Sequence, residues 1–163
     1  MTIPSSSAPA ARLWLFNAIK SALTPDPGVV SGGSYGDPAA SLLVCLDGPG
    51  TYQPADIVAV GKVGRRIDVS SMVGSGGAGW LREDFGIEIV IECARGTEDS
   101  QSAFERTTTL IDQIIAVVRT DPTLGGSVLW SKPTRSDTEV AWAADHSSWV
   151  GQGTLTVECN QRI

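Results

Sequence analysis

The chain has 163 residues, 42 % of them hydrophobic, and 12 Lys and Arg against 18 Asp and Glu leave it a net charge of −6. That is enough chain and apolar content for one domain with a real core, and it excludes disorder throughout. The acidic balance argues against a surface built to grip nucleic-acid phosphate, though not against a pore whose acidic wall lets a duplex slide past.

Residues 1–8 read as a flexible lead, and residues 9–163 as a single domain with long Gly/Pro-rich loops at 24–41 and 70–80. Ser7 or Pro9 marks a helix start. Ala11, Leu15, Ala18, Ile19 and Ala22 form its apolar stripe, and Thr24-Pro25-Asp26-Pro27-Gly28 stops it. Trp14 and Phe16 on this helix are expected to be more exposed than suits a monomer.

Leu42–Leu46 reads as a short buried strand, followed by a turn at Asp47-Gly48-Pro49-Gly50. Asp56–Val63 is a second strand, continued or paired by Arg66–Val69. From Phe85 to Ala94 the chain alternates, with Phe85, Ile87, Ile89, Ile91 and Cys93 on one face. Beyond Gly96, the spacing of Ala103, Thr107, Leu110, Ile111, Ile114 and Val118 predicts a long amphipathic helix. Asp99 or Ser100 is its N-cap, and Asp121-Pro122 ends it. Ser127–Ser131, Thr138–Ala143 and Thr154–Cys159 are three further strands. Strands joined by short turns pair antiparallel, so the expected fold is α+β: a mainly antiparallel sheet with two amphipathic helices packed on it.

Few residues invite chemistry. Gly74 to Gly79 lacks a Gly-Lys-Ser/Thr and a following helix, so it reads as a loop between strands and not as a phosphate cradle. His146 is the one histidine. Its neighbour Asp145 is too close in sequence to orient it as a catalytic base, and a turn is the expected setting. Cys45, Cys93 and Cys159 sit in apolar runs with no Cys-x-x-Cys spacing, which suits buried thiols and offers no zinc set. A Cys93–Cys159 disulfide requires neighbouring strands and an oxidising compartment, whereas folding in cytoplasm is expected: there is no membrane span and no signal peptide.

The carboxylates Glu83-Asp84, Glu98-Asp99 and Glu88/Glu92 read as a solvated face or the lining of an acidic lumen. Arg65-Arg66 reads as a hairpin turn with solvated charges, or as a contact with an acidic partner. Trp80, Trp130, Trp142 and Trp149 divide between core and interface roles, with Trp142 and Trp149 flanking one hairpin.

The second half of the chain carries a resemblance. A strand Ile87-Glu88-Ile89-Val90-Ile91-Glu92-Cys93 leads to the helix segment Arg106–Ile114. The run Thr120-Asp121-Pro122-Thr123-Leu124-Gly125-Gly126-Ser127-Val128 follows, and the chain closes on Gly153–Ile163. Residues 81–163, and more loosely the first helix, resemble the tail terminator proteins of long-tailed, non-contractile bacteriophages, especially those of actinobacterial hosts.

The resemblance implies a small sheet domain with helices packed on it, six copies of which form a ring at the head-proximal end of the phage tail. The ring caps the tail tube protein, ends its polymerisation and presents a surface to the head-tail connector protein. DNA passes through the lumen without specific binding. The family implies no enzymatic activity and no cofactor; the protein is assembled in host cytoplasm and resides in the virion. On this reading Arg65, Arg66, Gly74, Gly76, Gly77 and Trp80 are interface candidates, and Glu88 and Glu92 are lumen candidates. Residues 28–50 and 74–79 match nothing in the family. Two alternatives stand beside it: another neck, head-completion or tail tube protein, and, more distantly, a small hydrolase or ligand-binding module around Asp145-His146.

Overall fold

The computed structural model describes residues 5–26, 41–69, 81–96 and 99–163. Its central strand is β3 (Leu81–Arg95), where burial alternates residue by residue. Phe85, Ile87, Ile89, Ile91 and Cys93 turn inward and are almost wholly buried. A strand with one apolar face must bury it against another layer. Two helices supply that layer: α1 (Ala8–Ala22) and α2 (Ser100–Thr120). Leu15 and Ile19 of α1 and Leu110, Ile111, Ile114 and Val118 of α2 join the inward residues of the sheet in one core cluster. Each such side chain contributes about 1.5–3 kcal/mol of transfer free energy on burial.

The sheet has the order β1-β2-β3-β5-β4, the other strands being β1 (Leu42–Leu46), β2 (Asp56–Val69), β4 (Trp130–Trp142) and β5 (Trp149–Arg162). All neighbours are antiparallel except β1 and β2, which run parallel. The fold is therefore α+β: two helices on one side of a five-stranded, mostly antiparallel sheet.

Two strand expectations change, and for a third one of its two alternatives holds. β1 is not an antiparallel, fully buried strand. It lies at the edge with only Val44 buried, because residues 47–55 carry the chain back to the end where β1 began. The segments 56–63 and 66–69 are one strand, and a register shift between Val60 and Val63 keeps it paired with β3. Likewise 127–131 and 138–143 are not separate strands: Trp130 to Trp142 is continuous, with a register shift between Pro133 and Arg135. In both cases charged, exposed residues interrupt the apolar pattern while the backbone ladder runs on.

The helix ends follow their local chemistry. Ser7 is the N-cap of α1, with a proline in the first turn. Asp99 caps α2 by accepting a 2.9 Å hydrogen bond from the Ser102 N–H. After α2, Leu124, Gly125 and Gly126 all adopt positive φ, a conformation that favours glycine. Asp121 holds this turn by accepting from the Thr123 and Gly125 N–H groups at 3.0 and 2.9 Å. Leu124 is driven into the core at 0 % exposure. Trp14 and Phe16 are partly buried against the core, less exposed than the sequence suggests.

β4 and β5 close as a hairpin with Trp142 opposite Trp149, their rings edge to face with centroids 4.8 Å apart. Cys93 and Cys159 do lie on neighbouring strands, but Cys93 is opposite Gly151 and Cys159 opposite Phe85. Eight residues at about 3.3 Å each place them roughly 26 Å apart, so they cannot bond.

Candidate interaction face

Both helices occupy one side of the sheet, and among the described residues no element covers the other side. Residues directly opposite on paired strands share a face, so the ladder registers define the uncovered side. Arg66, Asp84 and Asn160 form one row across β2, β3 and β5; Asp68, Arg82 and Arg162 form the next. Asp84 accepts from Asn160 Nδ2 at 2.6 Å and from Arg82 Nε at 2.7 Å, while Arg66 Nε bonds Asp68 at 2.7 Å. Gly64 lies opposite Gly86 in the adjacent row, and without side chains there the sheet surface dips. The result is a broad hollow of about 1070 Å³, walled by Arg66, Arg82, Trp130, Glu158 and Arg162.

The far end of the same face is acidic. Glu92 of β3 and Glu139 of β4 both oppose Gln152 of β5, and Asp137 opposes Thr154. With Thr138 they line a smaller hollow of about 420 Å³. Glu88 stands on this face as well, half-buried, while Glu92 is exposed. The two lumen candidates thus share one open surface, as their spacing on a strand requires.

The interface candidates separate. Arg65 and Arg66 are not in a hairpin turn; they sit within β2, where consecutive side chains point to opposite faces. Arg66 projects into the open hollow with its side chain 78 % exposed. Arg65 turns to the helix side and bonds Glu83 at 2.6 Å. Gly74, Gly76, Gly77 and Trp80, and also Glu98, lie outside the described residues.

Glu83 is the residue that sequence reasoning misplaced. It is not half of a solvated carboxylate pair with Asp84; it is fully buried. Its carboxylate accepts from Ser6 Oγ at 2.6 Å, the Ser7 N–H at 3.2 Å and Arg65 Nε at 2.6 Å. Burial pushes the Glu83 carboxyl up, but the bonds from Ser6, Arg65 and the Ser7 N–H outweigh it and hold the group below its ordinary range. The alternation of β3 contains the signal: carried back from Ile87 and Phe85, it places Glu83 inward. Ser6 and Ser7, read as the end of a flexible lead, are tied to the sheet by this contact.

Asp56, also fully buried, is a second site residue that sequence reasoning missed. Its carboxylate receives Arg95 Nη1 at 2.7 Å and Arg106 Nε at 2.8 Å, which joins β2, β3 and α2. Arg95 Nη2 reaches Asp26 at 3.2 Å. Burial alone lowers the Arg95 guanidinium, and its bonds to Asp56 more than reverse that, so the guanidinium is held above its ordinary value. Both clusters stitch elements together inside the fold.

Around His146 the geometry is that of a turn. Trp142 Nε1 donates to His146 Nδ1 at 2.8 Å, and Asp145 accepts from the Ser147 hydroxyl and N–H at 2.6 and 3.1 Å. Among the described residues, no group of three His, Cys, Asp or Glu side chains is placed to hold a metal ion, and no helix is long and apolar enough to cross a membrane. The fold and this face define an α+β domain with a one-sided sheet and a charged open surface. No protein-family model matches the chain, and no curated protein matches it.

Proposed function

We propose that the chain is a structural virion protein of the tail terminator kind: a ring of six copies that caps the phage tail tube, ends its polymerisation and offers the joining surface to the head connector. The reading begins from the sequence resemblance over residues 81–163. One structural observation supports it further. The two flanks of the sheet are unlike each other, β1 with the outer half of β2 on one side and β4 on the other. A ring needs two different surfaces that fit one another when the chain meets its copy, and unlike flanks meet that need.

The acidic hollow around Glu92, Asp137 and Glu139 suits a wall past which DNA moves without being held. The test is electron microscopy of the purified protein in negative stain, alone and with tail tubes. Six-membered rings, free or seated on tube ends, are the expected result. A monomer at every concentration that also leaves tubes unbound overturns the reading, and long tubes built from the chain alone identify a tube subunit instead.

A further inference from the structure

Three strands of the sheet carry the same short pattern, Arg-x-Asp, with both charges on the uncovered face: Arg66-Ile67-Asp68 in β2, Arg82-Glu83-Asp84 in β3 and Arg135-Ser136-Asp137 in β4. In each the two charges bond along the strand, at 2.7, 2.7 and 2.8 Å. The first two copies are also matched across strands. β2 and β3 run antiparallel with Arg66 opposite Asp84 and Asp68 opposite Arg82, so each Arg faces an Asp. This follows from the pattern itself: two Arg-x-Asp runs laid antiparallel in register put opposite charges in register twice. The third copy has no such partner. Its neighbours on β5 are the uncharged Thr156 and Thr154, and the outer side of β4 is an edge of the sheet.

The outer side of β2 is also an edge along half its length. β1 pairs only with Asp56 to Val60. There Asp47 N bonds Val60 O at 3.0 Å, and Arg12 donates to the carbonyls of Val60 and Gly61 at 3.1 and 3.0 Å, which ends the covered part. From Val63 to Val69 no described strand lies alongside. This stretch has no proline and no bulge, and Ile67 and Val69 are 50 % and 53 % exposed. Natural edges are normally guarded by such devices, and an open, regular, partly apolar edge is a place where another strand adds. β4 does carry guards, Pro133 and the bulge beside it, but only in its first half; from Arg135 to Trp142 it is regular.

We infer that these two stretches join neighbouring copies: Arg135 to Val140 of one subunit lies antiparallel along Val63 to Asp68 of the next. Arg135 then faces Asp68, and Asp137 faces Arg66, repeating across the subunit boundary the arrangement that β2 and β3 already make within the subunit. Ser136 falls opposite Ile67, and Val140 opposite Val63, where the register shift of β2 begins and short of the stretch that β1 occupies. The strand directions agree with a ring. In the order β2-β3-β5-β4 the directions alternate, so β4 runs opposite to β2, and a neighbour placed alongside without inversion meets it antiparallel. The contact is heterologous and repeats from copy to copy. It deepens the proposal above and rests on it for the number of copies.

Two variants that keep net charge test the contact. Arg135→Asp with Asp137→Arg reverses the β4 pattern, and Arg66→Asp with Asp68→Arg reverses that of β2. Each alone places like charges across the boundary and is expected to lose the assembled species in sedimentation velocity at concentrations where the unaltered chain assembles. Mixed in equal amounts they are expected to assemble again, with the two chains alternating, because reversed β4 then meets reversed β2 and unaltered β4 meets unaltered β2. Native mass spectrometry reads three copies of each in a ring of six.

The β2 reversal also sets like charges against Asp84 and Arg82 inside the subunit, so a second measurement avoids it. Ile67→Cys with Ser136→Cys is expected to give an oxidised ladder of linked chains under denaturing conditions, absent from either single variant. A ring that forms undiminished with β4 reversed, and no ladder, overturns the contact while leaving the terminator reading in place. An unaltered chain that stays monomeric with and without tubes overturns both. A two-subunit species that survives reversal of β2 alone points to a symmetric contact, β2 against β2 or β4 against β4, which overturns it too.

Discussion

Arg65 Nε lies 2.6 Å from Glu83 Oε1, linking an inward-facing residue of β2 to a fully buried carboxylate of β3. The same carboxylate receives Ser6 and Ser7, so one acidic group fastens the start of α1 to the sheet. A charge in such a site is tolerable only when its lone pairs are met, and here four donors meet them: the Ser6 and Ser7 hydroxyls, the Ser7 N–H and Arg65 Nε.

Replacing Glu83 with Gln is therefore expected to destabilise the protein by about 1–3 kcal/mol, read from urea denaturation at neutral pH. The carboxyl is held below its ordinary value of 4.5 in the folded chain, so its contribution is fully present above that pH and fades as pH falls through the folded value. The gap between the two proteins should narrow on acidification from pH 7 towards pH 3. A constant gap would show that the charge of Glu83 is not what the fold uses.

Asp56→Ala removes the shared anion between Arg95 and Arg106. Arg95, with its side chain 7 % exposed, is left as a buried cation that keeps the Ala94 carbonyl at 2.7 Å and, as its remaining anion, the longer Asp26 contact at 3.2 Å. Breaking a buried pair from one side costs about 3–5 kcal/mol. The expected result is a large fall in the denaturation midpoint; a change below about 1 kcal/mol would place Arg95 in water instead.

Gly151→Ala tests how closely α2 approaches the sheet. A Cβ at Gly151 would stand 2.5 Å from the Ala103 carbonyl oxygen and collide with Thr107 Oγ1, so the helix must lift. Overpacking of this kind costs about 1–3 kcal/mol. Gly86→Ala on the open face meets only Thr156 Cγ2 at 3.4 Å and is expected to change stability by less than about 0.5 kcal/mol. Thermal unfolding of the two variants side by side checks the contrast.

The thiols offer a further check. Burial pushes Cys93 and Cys159 up to about 12, and burial with the nearby Asp47 charge raises Cys45. Thiolate, not thiol, is the nucleophile, so all three should react slowly with a disulfide reagent at pH 8 in the folded protein. Cys45, only partly buried, should be the fastest, and all three should react at once in denaturant. Loss of the Cys93 and Cys159 thiols together, without denaturant or reagent, would indicate the disulfide that the strand register forbids.

The elements with clean periodicity are legible in the sequence. β3 and α2 each bury one face, so their apolar residues recur every second or every third and fourth position, and both elements lie where that spacing puts them. The hairpin of Trp142 and Trp149 is legible from the turn residues between its two strands. The outer half of β2 is not. Beyond Val63 it carries Arg65, Arg66 and Asp68, and it remains a strand through backbone pairing with β3, to which composition is blind.

Sequence by itself determined the class of fold, the two helices and their caps, the inward face of the central strand and the shared face of Glu88 and Glu92, because local periodicity and side-chain chemistry suffice for these. Tertiary structure alone decided that β1 lies parallel to β2, that Arg65 and Arg66 part to opposite sides, that Glu83 and Asp56 are buried against arginines, and that no described strand lies beside the outer half of β2 or beyond β4. Those outcomes depend on which strand lies beside which and in what register. Register is fixed by contacts between residues far apart in the chain, and no local pattern encodes it.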